Sequence, residues 1–312
     1  MDLKQLEYFV CVAELGSFTR ASILLNVAQP ALSRQVRLLE VELRQHLLIR
    51  HGRGVTMTEA GSLLLSHGRG ILRQVERAQE ELGRIGGALA GRVTLGLPPS
   101  IARLMTVPLI RECHNRLPNA IVSITEGLSV SIREALMRGR LDIALLYNPT
   151  PDKDTEITPL LEEDLFLIAP RLAQGSNTRL SEPISLRDVA KLPLIIPSLP
   201  NALRMLVETQ MAFIGVKPNI AFEIDGVAAI LELVADGAGH AILPKHAVAT
   251  SGKADNFVVR PIIEPRITSL LAIAISAHRP ATDTQKAMIA LIPEVVGSVI
   301  NNVSQPANPA LV

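Results

Sequence analysis

Gln29-Pro30-Ala31-Leu32-Ser33-Arg34-Gln35-Val36-Arg37-Leu38-Leu39-Glu40-Val41-Glu42-Leu43 is the stretch that decides how the rest of the chain is read. Pro30 suits the first position of a helix, where its missing N–H is no loss. Leu32, Val36, Leu39 and Leu43 then recur at i, i+4, i+7 and i+11, one narrow apolar stripe at helical spacing. Ser33, Arg34 and Arg37 fall on the opposite face. A helix that buries Leu and Val and presents hydroxyl and guanidinium groups outward is built to enter a DNA major groove, which is about 12 Å wide. Arg binds guanine bidentately, and Ser33 and Gln29 reach phosphates or base edges near the helix start.

Upstream, Leu3, Leu6, Phe9, Val10 and Ala13 predict a helix over 3–15. Gly16 ends it, and Ser17 is the expected N-cap of a second helix that runs through Ala21–Leu25. Three short helices with short turns describe a helix-turn-helix. Downstream, two apolar runs flank Gly52-Arg53-Gly54, a hairpin signal. That hairpin makes a wing carrying Arg50 and Arg53 toward DNA. Thr58 then caps a long helix expected to reach about residue 85. In it Gly61, Leu64, Gly68, Ile71, Val75, Ala78, Leu82, Ile85 and Leu89 alternate spacings of three and four, a sustained heptad seam. The seam predicts a dimer helix that also links two domains, with Leu64, Ile71, Val75, Ala78 and Leu82 as its contacts. Gly83, Gly86, Gly87 and Gly91 predict a hinge.

Composition agrees. The 312 residues carry 31 basic and 30 acidic side chains, so a wholly basic, histone-like binder is excluded. Residues 1–92 hold 12 basic against 9 acidic groups, and 93–312 hold 19 against 21, so the basic character is local. It concentrates in Arg34, Arg37, Arg44, Arg50 and Arg53. Aromatics are 3% and Trp is absent, which predicts an aliphatic core and favours a small polar ligand over a large aromatic one. The longest apolar runs stay near nine residues, as at 269–277. A membrane span takes about 18 or more. The acidic, interrupted N-terminus does not read as a secretory signal. Cys11 and Cys113 form no disulfide framework or metal set, and both are expected to be inert, buried thiols in a reducing cytoplasm.

Residues 1–90 resemble the N-terminal part of LysR-type transcriptional regulators. The match reads Leu6-Glu7-Tyr8-Phe9, Gly16-Ser17-Phe18-Thr19-Arg20-Ala21, Gln29-Pro30-Ala31-Leu32-Ser33-Arg34-Gln35, Leu39-Glu40, Leu47-Leu48-Ile49-Arg50 and Thr58-Glu59-Ala60-Gly61. Residues 53–61, with Ile71-Leu72-Arg73-Gln74, are similar to the branch of the nitrogen assimilation control regulators. Leu48-Ile49 stands where many members carry Leu-Phe, a change that disturbs no donor. The resemblance extends to about residue 300. It implies double-stranded promoter DNA as a partner, a homodimer or homotetramer, and RNA polymerase as a further contact.

Beyond residue 92, strand-like and helical runs alternate: strands at 93–97, 120–125 and 141–147 enclose helices at 101–117 and 131–138. This β-α-β-α-β series predicts a parallel doubly wound sheet. A second series follows, with strands at 164–169, 194–196, 220–223 and 240–243 around helices at 202–214 and 227–236. A strand at 269–275 and a helix at 284–300 complete the chain. The α/β fold class is thus a winged helix-turn-helix (1–58), a linker helix and hinge (59–90), and a two-lobed effector domain (91–300) resembling periplasmic binding proteins. Lobe one takes 91–162 and 266–300, lobe two takes 163–265, and 301–312 is expected to be a disordered tail. Ligands of open α/β sheets bind beyond the carboxyl ends of the strands. There Pro98-Pro99-Ser100, Gly127-Leu128-Ser129 and Ser198-Leu199-Pro200-Asn201 place hydroxyls and an amide beside helix N-termini, which suits a small anion. Plain N-capping explains each of them equally well. In the family, matching positions line the effector cleft, so the resemblance implies Ser100, Ser129, Tyr147, Ser198, Asn201 and Val227 as effector contacts. Gly237 and Gly239 are read as a helix-to-strand turn, and His240 as structural.

An enzyme finds no support: there is no G-x-S-x-G elbow, no H-E-x-x-H and no phosphate loop. No cofactor or metal is expected. A solute-binding protein whose N-terminal helices only dimerise is opposed by the Ser33/Arg34/Arg37 face and the missing signal peptide.

Overall fold

The computed structural model describes residues 1–52, 54–82, 90–171 and 182–304. It divides into two compact units, one of Met1–Ala88 with Met137–Arg140 and the other of the remainder.

In the first unit, α1 (Leu3–Leu15) opens with a reciprocal cap: Asp2 Oδ1 accepts the Gln5 N–H at 2.7 Å, and Gln5 Oε1 accepts the Asp2 N–H at 3.2 Å. It ends at Gly16, whose φ of 61° is left-handed, and the Gly16 carbonyl accepts the Val55 N–H at 2.9 Å. Helix α2 (Phe18–Leu24) is capped by Ser17 Oγ, which accepts the Arg20 N–H. Helix α3 (Gln29–Leu43) begins one residue before Pro30, so the proline stands second rather than first. Leu32, Val36 and Leu39 are fully buried against Phe9, Val12 and Ala21, while Leu43 is only half-buried.

Strands β1 (Leu48–His51) and β2 (Gly54–Met57) pair antiparallel, with Leu48 opposite Met57. Glu40 Oε1 accepts the N–H groups of Leu47 and Leu48 at 2.8 and 3.1 Å, which fixes the wing to the end of α3. Helix α4 (Glu59–Leu82) starts at Thr58, whose Oγ1 accepts the Gly61 N–H at 3.0 Å. Its 24 residues span about 36 Å at roughly 1.5 Å each.

Part of the seam expected for dimerisation faces its own domain. A Cβ on Gly61 would lie 2.1 Å from the Leu47 carbonyl oxygen, and one on Gly68 would lie 2.9 Å from Leu6 Cδ1. Leu64 packs on the same core. These residues cover the base of the domain, and a stripe repeating every three or four residues does not distinguish that role from a dimer seam. Ile71 is 39% exposed, Ala78 is exposed and Val75 is half-exposed. The Leu82 side chain, Ile85, Leu89, Gly83, Gly86 and Gly87 lie outside the described residues.

The second unit opens with β3 (Ala90–Leu97), α5 (Pro99–Arg116), β4 (Asn119–Glu126), α6 (Ser129–Met137) and β5 (Ile143–Tyr147). Strands β4-β3-β5 lie side by side and parallel. The long β6 (Thr155–Pro170) follows, then β7 (Ile184–Ser185), α7 (Leu186–Val189) and β8 (Leu194–Ile196). Next come α8 (Ala202–Phe213), β9 (Ile220–Glu223), α9 (Val227–Ala235), β10 (Ala241–Pro244) and α10 (Lys245–Ala249). Strands β11 (Phe257–Ile263) and β12 (Thr268–Ser276) and helix α11 (Asp283–Ser304) close the chain.

The sheet departs from an all-parallel one. Strand β12 runs antiparallel between β5 and β6, and β10 and β11 both pair antiparallel with β6. Strand β6 passes between lobes without a break: Thr155–Asp164 pair with β12 and Leu165–Pro170 with β10 and β11. The sequence does not predict its first half. Thr158, Pro159, Glu162 and Glu163 fall outside every expected strand, and Pro159 sits beside a register shift opposite Leu271/Ala272. Strand β11 is likewise absent from the expected series. Helix α11 continues through 301–304, so the tail is helical there, and 305–312 lie outside the described residues.

Candidate nucleic-acid interface and effector cleft

Gln29 and Pro30 open α3 on its exposed side, and Arg34 and Arg37 are exposed further along it. Ser33 is half-buried, and its Oγ accepts from Arg50 Nη1 at 2.9 Å. The same guanidinium stacks over the Phe18 ring, 4.3 Å from its centroid. Arg50 is therefore tied to α2 and α3 rather than standing free, though a guanidinium offers several further N–H donors for phosphate. Arg53 lies outside the described residues.

In the second unit one cavity of about 80 Å³ opens beyond the carboxyl ends of the strands. A single water takes about 10–15 Å³ on this measure, so the space admits a small metabolite. Its wall comes from six segments. Pro98, Pro99 and Ser100 start α5; Leu128 and Ser129 start α6; Tyr147 ends β5; Pro197, Asn201, Ala202 and Leu203 lie at α8; Asp225 and Val227 lie at α9. Leu243, Pro244 and Ala247 complete it. The structure thus brings Ser100, Ser129, Tyr147, Asn201 and Val227 to one cavity. Ser198 is not part of the lining; its N–H donates to Asp225 Oδ1 at 2.9 Å.

Two polar residues are engaged locally. Asn201 caps α8, its Oδ1 accepting from Leu203 and Arg204 N–H at 2.9 and 3.3 Å. Ser129 Oγ accepts the Tyr147 N–H at 3.1 Å. Tyr147 Oη donates to Glu163 Oε1 at 3.1 Å, and Glu163 Oε2 meets His246 Nδ1 at 2.9 Å. Burial, then the Glu163 charge, push the Tyr147 phenol well above its ordinary value, against a weaker opposing contact from Ser100. The phenol stays protonated and serves as donor. Arg204, 5% exposed, donates to the Pro197 carbonyl, Glu208 and Glu223, bracing the lobe-two wall.

The anionic ligand expected from the helix starts would meet no basic side chain here. Among the described residues no Lys or Arg lines the cavity, and Asp225 adds a carboxylate. The lining is also more apolar than the hydroxyl- and amide-rich wall expected from the scarcity of aromatics. Asp225, Glu163, His246 and Arg204 escaped sequence reasoning. Asp225 precedes the Gly226 cap of α9, a signal of the same kind as Asn201 before α8. The other three lack a local pattern, because their partners lie elsewhere in the chain. His240 is half-buried outside the lining, its backbone bonded to Pro193 and Ile195. No group of metal-binding side chains occurs among the described residues, nor a helix long and apolar enough to cross a membrane.

A winged helix-turn-helix followed by a two-lobed ligand-binding domain defines a ligand-responsive DNA-binding regulator. Residues 3–62 match the bacterial regulatory helix-turn-helix protein, lysR family, and 86–297 match the LysR substrate binding domain. The chain belongs to the LysR family of transcriptional regulators and is not an enzyme. It is 36% identical to the nitrogen assimilation regulatory protein of Klebsiella aerogenes over 89% of this chain and 90% of that protein. It is 33% identical to the Escherichia coli protein of the same name, over 96% and 97%. Among solved structures it is similar to full-length CbnR complexed with its target DNA (25% identity, TM-score 0.66, 96% and 100% of the chains). A full-length OxyR variant of Pseudomonas aeruginosa shares the fold (24%, TM-score 0.70, 95% and 97%).

Proposed function

We propose that α3 reads promoter DNA in the major groove through Gln29, Pro30, Ser33, Arg34 and Arg37, and that Arg50 and Arg53 hold flanking phosphates. The carrying observation is the division of α3: Leu32, Val36 and Leu39 are fully buried while Arg34 and Arg37 are exposed. The CbnR complex with its target DNA supports this reading by similarity. Residues 1–58 form the DNA-binding part, 59–90 the linker, and 91–300 the effector domain, with lobes meeting near 162 and 266. The outward side chains of α4, Ile71, Val75 and Ala78 with Leu82, pair with a second copy; Leu64 drops out because it packs at home. The assembly is a homodimer or homotetramer acting in the cytoplasm, with RNA polymerase as a further contact. Ser100, Ser129, Tyr147, Asn201 and Val227 receive a small effector that alters promoter activity.

Fluorescence anisotropy with a duplex from the adjoining promoter tests the DNA reading. Arg34→Ala is expected to weaken binding and to lower the slope of log K against log salt by about 1, one phosphate or base contact's worth. Unchanged affinity and slope would remove α3 from the interface.

A further inference from the structure

The hydrogen-bond polarity of the cleft selects the kind of molecule it can hold. Ser129 Oγ already accepts the Tyr147 N–H, so what it offers the cavity is its own O–H. Asn201 Oδ1 already accepts two backbone N–H groups, so what remains is its amide N–H₂. One donor stands on each lobe, and both call for an acceptor on the ligand. Asp225, on the solvent-exposed edge of the cavity, is the opposite case. One carboxylate oxygen takes the Ser198 N–H, and the other meets no donor among the described residues. Nor does a Lys or Arg among the described residues line the cavity to balance that charge. Arg204, the guanidinium behind the α8 wall, is committed to Glu208, Glu223 and the Pro197 carbonyl.

A simple anion would satisfy the two donors and leave Asp225 unbalanced beside it, like charge against like charge. A simple cation would pair with Asp225 and leave both donors without an acceptor on the ligand. A molecule carrying a carboxylate and an ammonium meets both ends, and the charge-assisted bonds it makes are the stronger kind. The small volume and the apolar Pro98, Leu128 and Val227 leave room for a short side chain.

We propose that the cleft binds a small α-amino acid as its zwitterion, carboxylate toward Ser129 and Asn201 and ammonium toward Asp225. The proposal rests on reading this cavity as the effector site. Titration calorimetry on the full chain compares each proteinogenic α-amino acid with its deamino counterpart, for example L-alanine with propionate. At least one amino acid is expected to bind, and at least roughly tenfold more tightly than its deamino counterpart, the worth of one charge-assisted bond. Asp225→Asn, which keeps an acceptor for the Ser198 N–H, is expected to erase that preference while the unfolding temperature holds. Deamino acids binding equally well, or no amino acid binding at all, overturns the proposal. The cleft itself is tested by Val227→Trp, which fills it. If the preference survives that substitution, the ligand sits elsewhere and the cleft reading fails; if binding vanishes but wild type prefers the deamino acid, only the ligand class fails.

Discussion

Arg50 belongs to β1, yet its guanidinium serves α2 and α3: it donates to Ser33 and lies over the Phe18 ring. A planar fork can do both, whereas a lysine ammonium is a point charge that cannot reproduce them together. Arg50→Lys keeps the charge and loses the tie; Arg50→Ala loses both. The expected outcome is about tenfold weaker promoter binding for Arg50→Ala, the effect of one lost contact of about 1.4 kcal/mol. Arg50→Lys should retain the wild-type salt slope but remain weaker than wild type, and full recovery by lysine would show that the tie to Ser33 is irrelevant. Cys113 illustrates a residue whose chemistry is switched off. Burial, with the neighbouring Glu112 charge, pushes its thiol up to about 11, and its Sγ packs 3.6 Å from Met288 Sδ. The thiolate is the reactive form, so at neutral pH Cys113 acts as a small apolar side chain of the core, as the sequence suggests.

At the scale of elements, α4 is bound to its domain by the absence of side chains. Gly61 lets the helix pass against the Leu47 carbonyl oxygen, which Thr58 Oγ1 and the Thr58 N–H also contact. Because the obstacle is backbone rather than a flexible chain end, Gly61→Ala should lower stability by about 1–3 kcal/mol, the usual cost of overpacking. Gly68→Ala meets only the ends of Leu6 and Val10 and should cost less. Urea unfolding of both variants ranks them, and an equal cost would show that the Leu47 carbonyl yields freely. These glycines also mark how far sequence reading reaches. The helices of the first unit were legible because each buries a stripe with one period and ends on a local signal: Ser17 at a start, Gly16 at a stop. Strands β3, β4 and β5 were legible as apolar runs between helices. The first half of β6 was not, because Pro159, Glu162 and Glu163 interrupt it and its pairing with β12 joins residues far apart in the chain. The same limit applied to the cleft. Ser100, Ser129 and Asn201 announce themselves at helix starts, while the Tyr147–Glu163–His246 chain exists only once three distant segments meet.

At the scale of the whole molecule, the net charge of +1 hides two behaviours, because the excess of basic over acidic groups lies in residues 1–92 and the remainder is slightly acidic. Acid stability is likewise decided by particular sites. Burial holds the His240 imidazole below its ordinary value of 6.5, opposed by a hydrogen bond to Pro193 and reinforced by the Arg260 charge. Below pH 6.5 the unfolded chain takes up a proton there that the folded chain refuses, so stability falls as the pH drops through that range. His240→Gln should make the urea midpoint less dependent on pH across the ordinary histidine range of about 5 to 8; an unchanged slope would assign the acid sensitivity to other groups. The lobes of the effector domain are also joined by a chain of hydrogen-bonded side chains. Glu163 stands on the unbroken strand β6 and accepts from Tyr147 at the end of β5 while meeting His246 on α10. Both imidazole and carboxylate are largely buried, at 5% and 13% exposure. Removing the carboxylate leaves a buried phenol O–H and a buried imidazole nitrogen without that partner, each costing about 1–3 kcal/mol. Glu163→Leu should therefore destabilise the effector domain by about 2–6 kcal/mol on that basis. Glu163→Gln, whose amide can accept from Tyr147 and donate to the imidazole, should recover most of it. If leucine and glutamine were equally stable in urea, the bridge would contribute nothing to joining the lobes.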